Sequence, residues 1–116
     1  MSRNSTRILL ADMLDAAREA HGYVRHLNRE QLNGHRLLQH GLVRCIEVVG
    51  EAASRVSDEF RSAHPELPWS KIIGMRNRLV HAYFEIDLDV VWSTTRNELP
   101  ILMAILEKLL DEYGDV

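Results

Sequence analysis

The stretch that decides the fold is LQHGLVRCIEVVGEAASRVSDEF, residues Leu38 to Phe60, where apolar side chains recur at alternating steps of four and three. The recurring positions are Leu38, Leu42, Cys45, Val49, Ala52, Val56 and Phe60. This spacing places the side chains on one face of an α-helix, and such a seam favours helices that pack nearly parallel to one another. The stretch therefore predicts one long helix within a bundle.

A first helix is predicted upstream by the same periodicity. Its apolar stripe comprises Ile8, Leu9, Met13, Ala17, Ala20, Val24 and Leu27. Asn28 and Gln31 predict a capping pair after it, and Asn33-Gly34 predicts a turn. Sustained period-two alternation, the mark of a half-buried strand, is missing from the sequence.

Two further helices are predicted downstream. The segment HPELP interrupts the periodicity, and Pro68 suits the first turn of a third helix, which we expect to end near Phe84. Asp87 can cap a fourth helix, whose stripe keeps its phase through Pro100 and so predicts a kink there. The stripe comprises Leu88, Val91, Thr95, Leu99, Leu102, Leu106, Leu109 and Tyr113. The predicted fold is all-α, a four-helix up-and-down bundle with a kinked last helix, in a single domain over residues 1–116.

Composition restricts the class of protein. The chain has 116 residues, of which 46% are hydrophobic and 27% charged, as in ordinary globular domains. It shows neither a signal peptide nor an apolar run that could span a bilayer, and its single cysteine, Cys45, fits a reducing compartment. We therefore expect a cytoplasmic protein without membrane contact. The net charge of −3 argues against a broad nucleic-acid-binding surface, but not against a local basic cleft.

Arg76 is out of place in the predicted third helix. On a helical wheel it lies about 40° from Ile72, in the middle of the apolar arc. An arginine there must be paired or must line a wet cleft, because burying an unpaired charge is very costly. One interpretation is a buried ion pair with Glu47 or Glu51. The other is a ligand groove, which a two-fold dimer of third helices would supply.

Asn77 and His81 are the other polar residues of interest in this helix. They are four apart and would share one edge of it, where His81 is either bonded to a carbonyl or available for chemistry. The six histidines of the chain predict no metal site, because the pairs His21/His26 and His35/His40 are five apart. Cys45 lies on the seam of the second helix, which favours a buried structural thiol over a nucleophile.

The segment RNRLVHAYFEID, Arg76 to Asp87, resembles the signature of the HEPN superfamily, and specifically that of HepT-like toxins. The resemblance extends upstream through CIEVVGEAASRVSDEFRSAHPELPWSKIIGMRN, Cys45 to Asn77. This block includes a Gly-Glu-Ala triplet that begins at Gly50 and a Pro-Trp pair before the third helix. The resemblance weakens in the first helix and after Trp92.

The resemblance implies a homodimeric four-helix bundle with metal-independent endoribonuclease activity on RNA such as tRNA or mRNA. By the same resemblance, Arg76, Asn77 and His81 form the catalytic set, doubled across the dimer interface. Glu51 would orient Arg76, and Arg78 would add positive charge at the rim of the site. The family chemistry implies no cofactor and no metal.

Tyr83 matches the tyrosine that receives AMP from a partner in this family. That partner is an MNT-type nucleotidyltransferase, which acts as the antitoxin of a type II or type VII-like toxin–antitoxin pair. A second hypothesis remains open at this point. The chain is then a non-catalytic interaction module that binds a nucleotidyltransferase and a nucleotide through Arg76 and Tyr83.

Overall fold

The computed structural model describes the backbone of residues 3–81 and 85–113 and the side chains of residues 5–79 and 85–113. The α-helices in these ranges are α1 (Arg3–Val24), α2 (Arg36–Ser54), α3 (Asp58–Ala63), α4 (Trp69–Ile73), α5 (Met75–Leu79), α6 (Leu88–Ser93) and α7 (Leu99–Tyr113). The other elements are a 3₁₀ turn (Arg29–Leu32), a π-helical turn (Thr94–Glu98) and the strands β1 (Val80–His81) and β2 (Glu85–Ile86). The predicted all-α class is confirmed. Within the described ranges, no helix has the length and apolar character needed to cross a membrane.

The long helices α1, α2 and α7 form the frame of the molecule, with α1 packed along both α2 and α7. The predicted apolar stripes supply part of the contacts between them, but Ile8 of the first stripe is 49% exposed, and Leu10 and Ile46, outside the predicted stripes, are buried. Leu10 and Met13 of α1, Ile46 and Val49 of α2 and Leu106 of α7 are all 0% exposed. Each fully buried aliphatic side chain contributes about 1.5–3 kcal/mol relative to its exposed state. The frame is therefore stabilised mainly by burial of these stripes.

The connection between α1 and α2 follows the predicted turn chemistry. The Asn28 side chain accepts a hydrogen bond from the Gln31 N–H at 3.1 Å, and the Gln31 side chain accepts one from the Asn28 N–H at 2.8 Å. This reciprocal pair is a capping box. Gly34 has a φ of 73°, a conformation that glycine adopts without the steric cost of a side chain.

The predicted second helix is not continuous to Phe60. Helix α2 ends at Ser54, and α3 begins at Asp58 after a short turn. Ser57 is the N-cap of α3, because its side chain accepts a hydrogen bond from the Phe60 N–H at 3.2 Å. A serine that caps a new helix competes with continuation of the old one. The apolar seam nevertheless stays buried across the break, as Val56 shows with 1% exposure.

The prediction of a single, continuous third helix that ends near Phe84 is wrong. Helix α4 ends at Ile73, and its C-cap Gly74 separates it from α5, because the ψ of −4° at Gly74 departs from the helical value of about −42°. Helix α5 ends at Leu79, and Val80–His81 then pairs antiparallel with Glu85–Ile86. Strands of two residues are too short to produce a periodic sequence pattern, so the sequence does not predict them. Phe84 itself lies outside the described residues.

The predicted irregularity of the last helix occurs just before Pro100. The Leu99 N–H donates to the carbonyl of Thr94, five residues earlier, so the chain makes a π-helical turn between α6 and α7. The π turn also fixes α1. The guanidinium of Arg96 donates to the carbonyls of Val24, Arg25 and Leu27 at 2.9, 3.0 and 3.3 Å, which satisfies acceptors at the end of α1.

Candidate functional site

Helix α5 carries two of the predicted catalytic residues between two buried anchors. Met75 is 3% exposed and Leu79 is 0% exposed, so both ends of this short helix are held in the core. Arg76 and Asn77 lie between them and are exposed. The break at Gly74 explains why the wheel argument fails for Arg76. Because α4 and α5 are separate helices, Arg76 does not share the buried face of Ile72.

Arg76 lines an open cleft between α5 and the first two helices, with a volume of about 340 Å³. We call it the Arg76 cleft. It is lined by Leu9, Asp12, Arg44, Glu47, Val48, Glu51, Ala52, Arg55 and Arg76. A neighbouring depression of about 220 Å³ shares Glu47, Glu51 and Arg76 with the cleft and extends it to Asn77. The cleft and the depression together bring Glu51, Arg76 and Asn77 to one surface, whereas orientation of Arg76 by Glu51 stays a prediction.

The buried ion-pair interpretation of Arg76 does not hold in this structure. Its side chain is exposed, and it makes no hydrogen bond or ion pair with another residue in the described part of the chain. Glu51 is instead 3.2 Å from Arg55, one helical turn further along the chain. The guanidinium of Arg76 is thus open to an external anion. Arginine binds phosphate and carboxylate oxygens with charge-assisted hydrogen bonds that are stronger than neutral ones.

A glycine allows the helix that precedes α5 to approach α2. A Cβ atom placed on Gly50 would lie 3.3 Å from the carbonyl oxygen of Ile72 and 3.6 Å from that of Ile73. A real side chain at this position would press against the backbone of α4. Gly50 is the first residue of the Gly-Glu-Ala triplet, and it also lines the depression that reaches Asn77. The triplet therefore combines a close helix contact with the acidic wall of the cleft.

Arg78 lies on the side of α5 away from the cleft. Two residues along an α-helix are separated by about 200° of rotation, so Arg76 and Arg78 face nearly opposite directions. The Arg78 guanidinium is 3.6 Å from the carboxylate of Glu98, which also lies 3.0 Å from the Lys71 ammonium. Burial acts to raise the pKa of Glu98, but the hydrogen bond from Lys71 and the charge of Arg78 outweigh it, and the pKa is lowered overall. The role of Arg78 at the rim stays a prediction.

His81 and Tyr83 follow the end of α5. The backbone of His81 lies in β1 opposite Glu85, so the expectation that Asn77 and His81 share an edge of one helix is wrong. The reason is that the helix ends two residues before His81, and the chain becomes extended. The side chain of His81 and the whole of Tyr83 lie outside the described residues. Their catalytic and modification roles stay predictions.

Two arginines of the cleft, Arg44 and Arg55, were not predicted as site residues. Their spacing could have indicated them, since Arg44, Glu47, Glu51 and Arg55 recur at steps of three and four and so share one face of α2. The charges on the cleft wall are mixed. Three guanidinium groups face three carboxylates, which belong to Asp12, Glu47 and Glu51.

Cys45 is confirmed as a buried structural thiol. It is 3% exposed, and its Sγ donates to the carboxylate of Glu19 at 3.1 Å. Burial, followed by the contact with Glu19, raises the pKa of this thiol to about 12. Because the thiolate is the nucleophilic form of cysteine, this residue is unsuited to nucleophilic catalysis at neutral pH.

Comparison with known proteins identifies the class of protein. The family model described as ribonuclease HepT-like matches residues 13–109, and the chain belongs to this family. The chain is 32% identical over 107 residues to "Probable ribonuclease HepT" of Thermococcus cleftensis, covering 92% of this chain and 97% of the relative. It is 28% identical over 112 residues to "Putative RNase MJ1216" of Methanocaldococcus jannaschii, covering 97% and 93%. No solved structure gave a significant match.

A bacterial relative shows a higher identity over a shorter region. "Putative RNase TTE0752" of Caldanaerobacter subterraneus subsp. tengcongensis is 36% identical over 76 residues, which is 66% of this chain and 68% of the relative. The function at the level of the family is thus that of a ribonuclease. The resemblance stated from the sequence is confirmed.

Proposed function

We propose that this protein is a metal-independent endoribonuclease that cleaves RNA such as tRNA or mRNA. The single observation that carries the proposal is an exposed Arg76, without a partner among the described residues, in an open cleft of a chain from a ribonuclease family. Asn77 borders the same cleft, and His81 follows two residues after the end of α5. Arg76, Asn77 and His81 are the proposed catalytic residues.

The chemistry of RNA cleavage assigns a task to each of these residues. Cleavage without a metal needs a base for the 2′-hydroxyl proton and an acid for the leaving oxygen, and imidazole titrates near neutrality and can serve as either. His81 is the proposed acid–base group. The guanidinium of Arg76 stabilises the charge that develops on the phosphoryl oxygens. Asn77 holds a phosphate or ribose oxygen, and Glu51, which borders the same cleft, is assigned the supporting role of orienting Arg76 once RNA is bound.

The cleft also supports binding of an RNA strand beyond the scissile phosphate. Arg44 and Arg55 lie on its wall and are exposed, and Arg44 makes no ion pair in the described part of the chain. Arginines of this kind contact phosphates without reading sequence. The proposal assigns them to binding of the backbone next to Arg76. The neighbouring carboxylates restrict such binding to a few phosphates.

The proposal includes the regulation that the family resemblance implies. The protein is the toxin of a type II or type VII-like pair, and a nucleotidyltransferase antitoxin transfers AMP to Tyr83. Tyr83 follows His81 by two residues, so a phosphate on its hydroxyl is tethered close to the proposed catalytic groups. The added negative charge competes with substrate for Arg76, and the bulk of the nucleotide blocks access to the cleft.

A homodimer in the cytoplasm is the proposed form of the protein. The wall of the Arg76 cleft includes Leu9, Val48 and Ala52, so apolar and charged side chains of both signs share one face. A face of this composition suits a two-fold interface that borders the cleft and leaves Arg76 accessible to RNA. The partner would then form part of the groove in which the RNA lies. Sedimentation of the purified protein tests this part of the proposal.

Induction of the chain alone in a bacterial host tests the proposed function. We expect growth arrest with the wild type and normal growth with His81→Ala, each expressed to the same level. The matched control is His26→Ala, which alters an exposed histidine hydrogen-bonded to Arg25. The purified wild type should cleave RNA in the presence of EDTA, whereas His81→Ala should not. Cleavage by His81→Ala equal to that of the wild type would refute the catalytic assignment.

The mixed charge of the cleft favours one alternative, the non-catalytic interaction module. Three carboxylates beside three guanidinium groups weaken the binding of a polyanion such as RNA. Arg76 can still bind the phosphate of a single nucleotide. This alternative predicts binding of AMP and of a nucleotidyltransferase without RNA cleavage. If Arg76→Ala leaves both kinds of binding unchanged, the alternative is wrong.

A further inference from the structure

Glu98 connects the two short helices of the candidate site region to the π turn. Its carboxylate lies 3.0 Å from Lys71 of α4 and 3.6 Å from Arg78 of α5. The hydroxyl of Thr94 donates to the second carboxylate oxygen at 3.3 Å. The Glu98 side chain is 23% exposed, whereas those of Lys71 and Arg78 are 55% and 41% exposed, so the contacts are shielded from solvent on the carboxylate side. One carboxylate thus receives groups from three elements.

The contacts matter because α4 and α5 have little stability of their own. Each helix is five residues long, and Gly74 interrupts the chain between them. Isolated helices of this length do not form in water, so tertiary contacts must fix their direction. Met75 and Leu79 supply the apolar part of that fixation through burial. Lys71 and Arg78, one on each side of Gly74, supply the polar part, because both cations contact the carboxylate of Glu98.

We propose that Glu98 is a positioning residue for the ribonuclease site, which rests on the proposed function. By holding Arg78 on the outer side of α5, Glu98 directs Arg76, on the opposite side, toward the cleft and Asn77 toward the neighbouring depression. By holding Lys71 at the same carboxylate, it fixes the angle between α4 and α5 across Gly74. Glu98 does not contact the substrate and acts only through this geometry.

The enzymatic test is Glu98→Gln, which keeps the size of the side chain and removes its charge. A displacement of about 1 Å at a catalytic group can reduce a rate about 100-fold, so we expect kcat for RNA cleavage to fall by at least about 10-fold. Release of Lys71 and Arg78 leaves two cations free to bind RNA phosphates, so KM should stay unchanged or fall. A lower kcat with an unchanged or lower KM and an intact fold supports positioning. An unchanged kcat overturns it.

The matched control is Glu107→Gln. Glu107 is on α7 and forms an exposed ion pair with Arg18 of α1 at 3.4 Å, so it contacts neither α4 nor α5 through this pair. We expect kcat within about two-fold of the wild type, because exposed ion pairs contribute little. Lys71→Ala removes one of the two links to Glu98, and we expect its kcat to lie between those of Glu98→Gln and the wild type. If Glu107→Gln lowers kcat as much as Glu98→Gln, the effect is not positional and the proposal fails.

Amide hydrogen exchange tests the positioning without reference to activity. We expect Glu98→Gln to accelerate exchange at the amides of residues 77–79, while the amides of α1 exchange at the wild-type rate. Wild-type exchange at residues 77–79 overturns the proposal even if kcat falls. If the wild type does not cleave RNA, the proposed function fails, and accelerated exchange still supports the role of Glu98 in fixing α5.

Discussion

The frame of α1, α2 and α7 and the segment from Trp69 to Ile86 are built in opposite ways. The frame consists of helices of 22, 19 and 15 residues with fully buried apolar stripes. The described residues of the segment form two five-residue helices and two two-residue strands. Its exposed residues include Arg76 at the Arg76 cleft and Asn77 at the neighbouring depression. The stable frame of this molecule therefore supports a site whose own short helices and strands have little stability.

The weak region depends on specific contacts, whereas the frame depends on many equivalent ones. Glu98 and Gly50 make two of the specific contacts. Glu98 holds α4 and α5 through charge, and Gly50, which has no side chain, lets α4 pack close to α2. Loss of one apolar contact in the frame should therefore lower stability and leave the chemistry of the site unchanged. Loss of a side-chain group in the segment should instead impair the chemistry of the site and leave stability nearly unchanged.

The largest expected effect on stability is that of Leu106→Ala. Leu106 is 0% exposed at the centre of α7, and removing a buried leucine side chain in this way costs about 2–5 kcal/mol of the free energy of unfolding. Urea unfolding followed by circular dichroism measures the loss. The fraction that remains folded should cleave RNA with the wild-type kcat. A loss below about 1 kcal/mol would show that the frame is less tightly packed than the burial indicates.

Arg76→Ala should show the reverse pattern. Removal of one preorganised donor to a developing charge typically reduces kcat about 100- to 1,000-fold. Because Arg76 is exposed and has no partner in the described residues, the free energy of unfolding should change by less than about 0.5 kcal/mol. Cleavage assays and urea unfolding of the same preparation measure both quantities.

The control for Arg76→Ala is Arg36→Ala, at an exposed arginine in the first turn of α2 that does not line the Arg76 cleft. It should leave both kcat and stability near the wild-type values. Equal loss of cleavage in the two variants would show that Arg76 contributes only general positive charge.

Two glycines test whether close approach of α4 matters. Gly50→Ala places a methyl group 3.3 Å from the backbone oxygen of Ile72, and overpacking of this kind typically costs 1–3 kcal/mol, about the same as or more than the gain in helix propensity. Gly22→Ala on α1 meets nothing within 4 Å and should stabilise by about 0.5–1 kcal/mol. Thermal unfolding should therefore shift in opposite directions. A rise in both melting temperatures would show that α4 moves aside without cost.

The sequence predicted the frame because a periodic stripe reports burial over many residues. The capping box of Asn28 and Gln31 was also predictable, since each partner is local in sequence. The breaks at Gly74 and Ser57 were not predictable, because the apolar period continues across both of them. The contact of Glu98 with Lys71 and Arg78 joins residues 27 and 20 positions apart, and no local pattern reveals it. Among the predicted site residues, Arg76 and Asn77 rest on the family resemblance, because the wheel argument for Arg76 fails at the break of Gly74.

The smallest expected effect is the pH dependence that Glu98 adds to stability. Its pKa in the folded protein is lowered from the ordinary value of 4.5, so folding favours the ionised carboxylate. The resulting stabilisation is present above the unfolded-state pKa and is lost as the pH falls through the lower folded-state pKa. The difference in unfolding free energy between the wild type and Glu98→Gln should therefore be constant from pH 7 to about pH 5.5 and shrink below that. Urea unfolding at a series of pH values measures it. A difference that widens toward acid would show that the carboxylate is held in its protonated form and that Lys71 and Arg78 do not stabilise its charge.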